Sequence, residues 1–395
     1  MKLSLEEIYN IFISSTGISI DSRSTKNGQI FIAIKGENND GNAYVEDALN
    51  NGAKYCITNR NELLDDSRCI IVADTYQTLV DLAKIHRDHF SIPVIAITGS
   101  NGKTTSKELI AKVLSTQYNV LYTEGNLNNE LGLPLTILKL NTTHEIAVVE
   151  MGAAKLGDIN FLCEIAKPTH GLITTIGRAH IGRFGSFENI IKAKTELFDF
   201  LKKHNGLAFI NEDDPILTPF AHSINTIFYG RNNPNTQVSN VSALPFLSFE
   251  WNYNDKNYRI ETHLFGDYNL VHTLAAISIG LYFNISSENI VKAITEYIPT
   301  NSRSQIIYND KNIIIMDAYN ANPTSMEAAL INFFSIPIDF FDNKNTTIKP
   351  KKRATILGEM MELGEYAHDE HKNILNLIKS YNPDIAIFVG ENFYQ

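Results

Sequence analysis

Cysteine is scarce in this chain: Cys56, Cys69 and Cys163 are three in 395 residues, an odd number without metal-ligand spacing. That excludes a disulfide framework and leaves reduced core thiols in a cytosolic protein as the expectation. Positive charge is also short, with 34 Lys and Arg against 44 Asp and Glu and a net charge of −10, so nothing electrostatic draws the chain to nucleic acid. No apolar stretch approaches transmembrane length, and an N-terminus carrying Glu6 and Glu7 is neither a signal peptide nor a membrane span. What remains is the composition of a soluble globular protein, 44% hydrophobic and 20% charged. Its length exceeds one ordinary core and suits two or three domains.

The strongest motif is Ile95-Ala96-Ile97-Thr98-Gly99-Ser100-Asn101-Gly102-Lys103-Thr104-Thr105, an apolar run that ends in a glycine turn, a lysine and two hydroxyl residues. Val94 to Ile97 reads as a buried parallel strand. Gly99 and Gly102 let the backbone turn tightly, and a helix opening at Thr105 turns its free N–H groups toward phosphate. Lys103 then sits on the β/γ-phosphates and Thr104 holds Mg²⁺ through its hydroxyl. The common form of the motif would demand a glycine at Ile97, so the match is to a shorter variant. The alternative, a plain Gly-Asn-Gly turn between strand and helix, does not account for the order of strand, glycines, lysine and paired threonines.

Three regions separate along the chain, with expected boundaries at 1–91, 92–300 and 301–395. In the first, short strands at Gln29–Ile34 and Tyr55–Thr58 alternate with amphipathic stretches such as Tyr44–Asn51, which reads as a small α/β module. Its Asp21-Ser22-Arg23 turn offers donors suited to an anion, although such a turn is more often only a capped loop. The second has buried strands at Ile146–Glu150, Leu172–Ile176 and Leu207–Ile210, the pattern of a doubly wound parallel sheet. An antiparallel hairpin is expected within Gln237–His263, turning at Tyr253-Asn254-Asp255-Lys256, followed by a helix over Leu270–Phe283. The third has strands at Ile313–Asp317, Ala354–Leu357 and Ile385–Val389, with a solvated basic loop over 343–353. No internal repeat of solenoid length is present.

Glu150 ends an apolar strand, so its carboxylate emerges at the ligand edge of the sheet and suits Mg²⁺. His180 follows another strand end. Lys194 lies on an expected helix, where the competing reading is a surface lysine paired with a glutamate.

Together Thr98-Gly-Ser-Asn-Gly-Lys-Thr-Thr105, Gly125-Asn-Leu-Asn-Asn-Glu-Leu-Gly-Leu-Pro-Leu-Thr136, Glu150-Met-Gly-Ala153, His180 with Phe184-Gly-Ser186, Ala193-Lys194 and Asp317-Ala-Tyr-Asn-Ala-Asn-Pro323 resemble the Mur ligases over nearly the whole chain. The resemblance implies an α/β fold of three domains: a small N-terminal UDP-sugar domain, a central doubly wound P-loop ATPase sheet and a C-terminal Rossmann-like ligase lobe. It implies a cytoplasmic, monomeric bacterial enzyme of peptidoglycan synthesis. The Gly-Asn-Leu-Asn-Asn and Tyr-Asn-Ala-Asn-Pro segments favour the branch that joins D-alanyl-D-alanine to UDP-N-acetylmuramoyl-tripeptide at the expense of ATP. By motif, Gly99, Ser100, Asn101, Gly102, Lys103, Thr104 and Thr105 cradle the nucleotide phosphates. Asn269, Arg303 and Asp317 match nucleotide contacts, Arg303 on phosphate and Asp317 on ribose. Thr104 and Glu150 hold one Mg²⁺, and His180 with a carbamoylated Lys194 holds a second. Asn128 and Asn129 line the tripeptide path, and Ser22 and Arg23 receive the uridine nucleotide.

Some positions depart from the family pattern. The helix at 270 is preceded by Gly266-Asp267-Tyr268-Asn269 in place of Gly-x-His-Asn, with His272 where asparagine is frequent. Asp40-Gly41-Asn42 replaces Asp-Gly-His. The chain stops at Gly390-Glu391-Asn392-Phe393-Tyr394-Gln395 where relatives continue, so the last lobe is expected to be incomplete. Two other readings stay open: an amide ligase of this fold with another acceptor, of the MurE or folylpolyglutamate synthase kind, and a non-catalytic nucleotide-binding protein. The Tyr-Asn-Ala-Asn-Pro segment speaks against the first, and Lys103, Glu150, His180 and Lys194 against the second.

Overall fold

The structure is a computed structural model that describes residues 1–36, 39–300, 302–309, 311–338 and 352–394. The expected basic loop lies outside the described residues up to position 351, as does Gln395 at the chain end. The chain divides into two compact units, one of Met1–Val94, Asn119–Met151 and Asn160–Pro168, the other of Ile95–Tyr118, Gly152–Ile159 and Thr169–Gln395.

The first unit begins with the helix Leu5–Ile13, started by a capping box in which the Ser4 hydroxyl and the Glu7 carboxylate satisfy each other's backbone N–H. A four-stranded parallel sheet follows in the order Ile18–Ser19, Ile30–Ile32, Tyr55–Thr58, Cys69–Ile71. Its strands Ile30–Ile32 and Cys69–Ile71 are continuous apolar runs, buried throughout. Asp74 caps the helix Thr75–Asp88. Near that helix's end Arg87, 5% exposed, gives its guanidinium to the carbonyls of Ala166 (2.7 Å), Phe90 and Lys167. A buried cation needs such a ring of acceptors. Val120–Tyr122 and Ile146–Glu150 form a further parallel pair, with the helix Gly132–Ile137 between them in sequence. The three cysteines are free and buried, as expected of core thiols.

In the second unit the strand Val94–Thr98 pairs with His170–Ile173, then Leu207–Asn211, then Asn225–Tyr229, all parallel. Gly171 lets Leu201 and Leu197 press onto the sheet, since a Cβ there would lie 2.6 Å from Leu201. The helix Leu270–Tyr282 is apolar nearly all round and packs against Lys103–Leu114, the two meeting where Gly280 admits Val113. The expected hairpin is present with its turn in place, but it is part of a three-stranded antiparallel sheet, Val238–Ser242, Phe246–Tyr253 and Lys256–Phe265. A bulge between Ser239 and Ser242 breaks the alternation that would have marked the extra strand.

The C-terminal lobe of this unit carries the antiparallel pair Gln305–Tyr308 and Ile313–Met316, the parallel pair Ala354–Gly358 and Ile385–Val389, and the helices Pro323–Ser335 and Ala367–Tyr381. Met326, Leu330, Met360, Leu363, Ile374, Ile378 and Phe393 share one core with Ile181, Phe184 and Ile190. Burying side chains of this size contributes roughly 1.5–3 kcal/mol each. The lobe is therefore anchored through the loop that carries His180.

Candidate active site

Strand Val94–Thr98 delivers the chain to Gly99 at φ +142, where a Cβ would lie 2.1 Å from the Thr174 hydroxyl. At Gly102, φ +77, a Cβ would meet the His272 ring at 1.9 Å. Only glycine fits either position. Because left-handed Gly102 itself caps the helix, Lys103 already lies in the first turn and the helix runs Lys103–Leu114, two residues ahead of the expected start. The loop is tied to residues 174–177: Ser100 N–H donates to the Thr175 carbonyl at 2.8 Å, and the Ser100 hydroxyl both donates to the Gly177 carbonyl and accepts its N–H, each at 2.9 Å. The Thr174 hydroxyl donates to the Asn101 carbonyl at 2.6 Å. Lys103 Nζ rests on the carbonyls of Gly99 (2.9 Å) and Ser100 (3.3 Å), and Thr104 is buried.

The strand expected to reach Ile176 ends at Ile173, freeing residues 174–179 to hold that loop. His180 then adopts φ +56 and pairs through Nδ1 with Glu362, whose other oxygen meets Arg183 at 2.6 Å. Ser186 caps the helix Phe187–Lys203, which carries Lys194. Lys194 is 3% exposed and its ammonium sits 5.7 Å from the centre of the Phe184 ring, so the surface-lysine reading does not hold. Burial, reinforced by the charge of Lys103, pushes its amine down to about 7. Burial also holds the His180 imidazole below its ordinary value; Glu362 opposes this, and Lys103 and Lys194 add to it. Lys103, His180 and Lys194 thus share one electrostatic neighbourhood within one unit.

The nucleotide-contact candidates lie in the same unit. Asn269, buried, donates to the Phe265 carbonyl at 2.7 Å. His272 Nδ1 meets the Ser106 hydroxyl at 3.0 Å, and burial pushes that imidazole down to about 4, so it is neutral near pH 7. Arg303 stacks 3.9 Å over the Tyr319 ring, and its buried Nε has no hydrogen-bond partner among the described residues. Asp317 accepts from the Ser304 N–H at 3.2 Å, and burial raises its carboxyl. Asn322, which the motif contained without a role, caps the helix Pro323–Ser335 and donates to the Asn101 side chain at 2.7 Å. Sequence reasoning missed Glu362 and the threonines at 174 and 175 as well; their partners lie too far along the chain for any spacing to reveal.

The other unit holds Glu150, fully buried at its strand end and accepting from Asn128 Nδ2 at 2.7 Å. Asn129 instead accepts the Gly132 N–H at 2.9 Å, at the start of the helix Gly132–Ile137. Ser22 is buried, whereas Arg23 projects into solvent clamped to Asp21 at 3.0 and 2.8 Å. Asn42, at the departure from Asp-Gly-His, is buried on Asp40 and Thr58. Among the described residues no group of three or more His, Cys, Asp and Glu could hold a metal ion unaided.

A family model described as the Mur ligase middle domain matches residues 97–280, and one described as the Mur ligase family catalytic domain matches residues 14–96. The UDP-N-acetylmuramoyl-tripeptide–D-alanyl-D-alanine ligase of Bacillus subtilis is 37% identical over 361 residues, 90% of this chain and 76% of that protein. The solved structure of MurF from Acinetobacter baumannii is similar at a TM-score of 0.84 and 28% identity, over 98% of this chain and 86% of that one. MurF of Thermotoga maritima in complex with ADP is similar at a TM-score of 0.80 and 26% identity, over 97% and 86%.

Proposed function

The chain belongs to the Mur ligase family, and from that premise we propose that it is the ATP-dependent ligase that joins D-alanyl-D-alanine to UDP-N-acetylmuramoyl-tripeptide, giving the pentapeptide precursor of peptidoglycan. The observation that carries this reading is the gathering of Lys103, His180 and a buried, easily deprotonated Lys194 around one phosphate loop. The terminal phosphoryl group of ATP passes to the C-terminal carboxylate of the tripeptide. The amine of D-alanyl-D-alanine attacks the acyl phosphate, and phosphate leaves from a tetrahedral intermediate. A free carboxylate resists an amine; the mixed anhydride needs mainly positioning and charge stabilisation.

In this reading Gly99 to Thr105 cradle the phosphates, and Lys103 leaves its carbonyl partners to neutralise charge on the transferring group. The buried, unpaired Nε of Arg303 suits a phosphate oxygen. Asn269 and Asp317 face the nucleoside, Asn128 and Asn129 the tripeptide, Ser22 and Arg23 the uridine nucleotide. The donor set fits Mg²⁺, which keeps few protein ligands and takes substrate phosphate oxygens for the rest. Thr104 and Glu150 would hold one ion, His180 and a carbamoylated Lys194 a second. When bound, the metal offsets repulsion between two anions that must meet. A lysine near neutrality at pH 7 is the nucleophile that CO₂ requires, which supports the carbamate. Three domains at 1–91, 92–300 and 301–395, and a monomer in the bacterial cytoplasm, complete the proposal.

Mass spectrometry tests it: purified protein with ATP, Mg²⁺, both substrates and controls lacking each. Pentapeptide formed with ADP and phosphate is expected only in the full mixture. Product with another amine acceptor in place of the dipeptide would overturn the substrate assignment.

A further inference from the structure

Glu362 has no place in the chemistry above, yet its carboxylate pairs with both His180 and Arg183. We propose that Glu362 is a positioning residue that fixes the His180 imidazole in its Nδ1–H tautomer, so that the C-terminal lobe supplies the orienting group for a metal ligand of the central sheet. This rests on the reading that His180 serves a metal.

The two residues lie 182 positions apart and both adopt left-handed backbone conformations, φ +56 and +63, which non-glycine residues seldom accept without compensation. The compensation is visible. Gly182 N–H donates to the Glu362 carbonyl at 3.0 Å, and a Cβ on Gly182 would lie 2.4 Å from the Gly364 nitrogen, so the two loops meet backbone to backbone. Ile181 and Phe184 on one side and Met360 and Leu363 on the other belong to one core cluster. The carboxylate is fixed at both oxygens, by Arg183 at 2.6 Å and by His180 Nδ1.

A carboxylate on Nδ1 keeps the proton there and leaves the lone pair on Nε2, the nitrogen then able to bind a cation. A plain docking contact between loops would need no particular tautomer. It would also not require the carboxylate to be held by an arginine from the same loop as the histidine.

The test uses the full chain labelled with ¹⁵N, free of metal and substrate, with the His180 ring signals assigned by their loss in His180→Gln. Long-range ¹H–¹⁵N correlation should show the Nδ1–H tautomer in the wild type. Glu362→Gln, which keeps an acceptor oxygen, should retain it, and Glu362→Ala should shift the ring toward Nε2–H. In ligation assays Glu362→Ala should raise the Mg²⁺ concentration for half-maximal rate by about 10–100-fold, with the rate recovered at saturating Mg²⁺ and Glu362→Gln affected less. An Nε2–H ring in the wild type, or an unchanged Mg²⁺ requirement in a folded Glu362→Ala, would overturn the proposal. A wild type without ligase activity would count against the function instead, and the metal-free tautomer would still decide the role of Glu362.

Discussion

The Asp21–Thr25 turn and the Gly99–Thr105 loop both offer donors to an anion, yet they are built in opposite ways. In the turn, Arg23 is neutralised on the spot by Asp21 and stands in solvent, and its grip holds the Asp21 carboxyl below the usual range. In the unit that carries the loop, charges are left dear: Lys194 is buried with its amine pushed down to about 7, the Asp317 carboxyl is pushed up, and the buried Arg303 Nε has no hydrogen-bond partner among the described residues. A region that is comfortable when empty gains little from a ligand, whereas one that stores unneutralised charge gains much. Under the proposed function the loop is the catalytic centre and the turn a docking edge, where an incoming phosphate would have to displace Asp21.

The sharpest way to break this comparison is Lys103→Ala. It removes a cation that rests on the carbonyls of the loop itself, so kcat for ligation should fall at least about 10³-fold, about 4 kcal/mol of transition-state stabilisation, while the melting temperature stays near wild type. Retained ligation would sink the phosphate-loop assignment.

Lys194→Met probes the stored charge itself. The folded amine titrates at about 7 against an ordinary 10.5, so between those values the unfolded chain binds more protons and wild-type stability rises with pH. Below about pH 7 both states are protonated and the whole penalty stands; above about pH 10.5 it is gone. In CO₂-free buffer the variant should therefore be more stable than wild type by on the order of 5 kcal/mol at pH 6, the gap closing by pH 10.5. Ligation should be lost throughout. Denaturant melts across that range read the slope, and a pH-independent gap would mean the lysine is not buried as a base.

How much of this was legible beforehand follows from segment length and separation. Tyr55–Thr58, Ile146–Glu150 and Ile385–Val389 were bounded correctly because each is an apolar run framed by turn residues. Ile18–Ser19, Cys69–Ile71 and Val120–Tyr122 are too short to show a period and went unread. Lys103, His180 and Lys194 could be singled out as candidates because they sit in or beside local motifs. Glu362 and Asn322 were not, since their partners His180 and Asn101 are 182 and 221 residues away and only the folded lobe brings them close.

A smaller effect is expected at Gly102→Ala. The new methyl group would fall on the His272 ring, and φ +77 costs an L-residue about 1–2 kcal/mol before any clash. Nucleotide Kd, by calorimetry, should rise roughly tenfold. Adding His272→Ala removes the clash but not the backbone cost, so recovery should be partial. Complete recovery would show that the loop tolerates other conformations and that His272 alone sets its shape.

The smallest change should come from Arg23→Ala, which deletes an exposed ion pair between Asp21 and Arg23, two residues apart. Thermal stability and kcat should match wild type, because such pairs contribute almost nothing to folding and the residue is far along the chain from the chemistry. What can move is the KM for the UDP-linked substrate. A rise in that KM alone assigns the turn to the uridine nucleotide, with Asp21 yielding Arg23 to phosphate. An unchanged KM assigns it to the capped loop that its own hydrogen bonds already explain, and leaves the loop at Gly99–Thr105 as the anion site of the two.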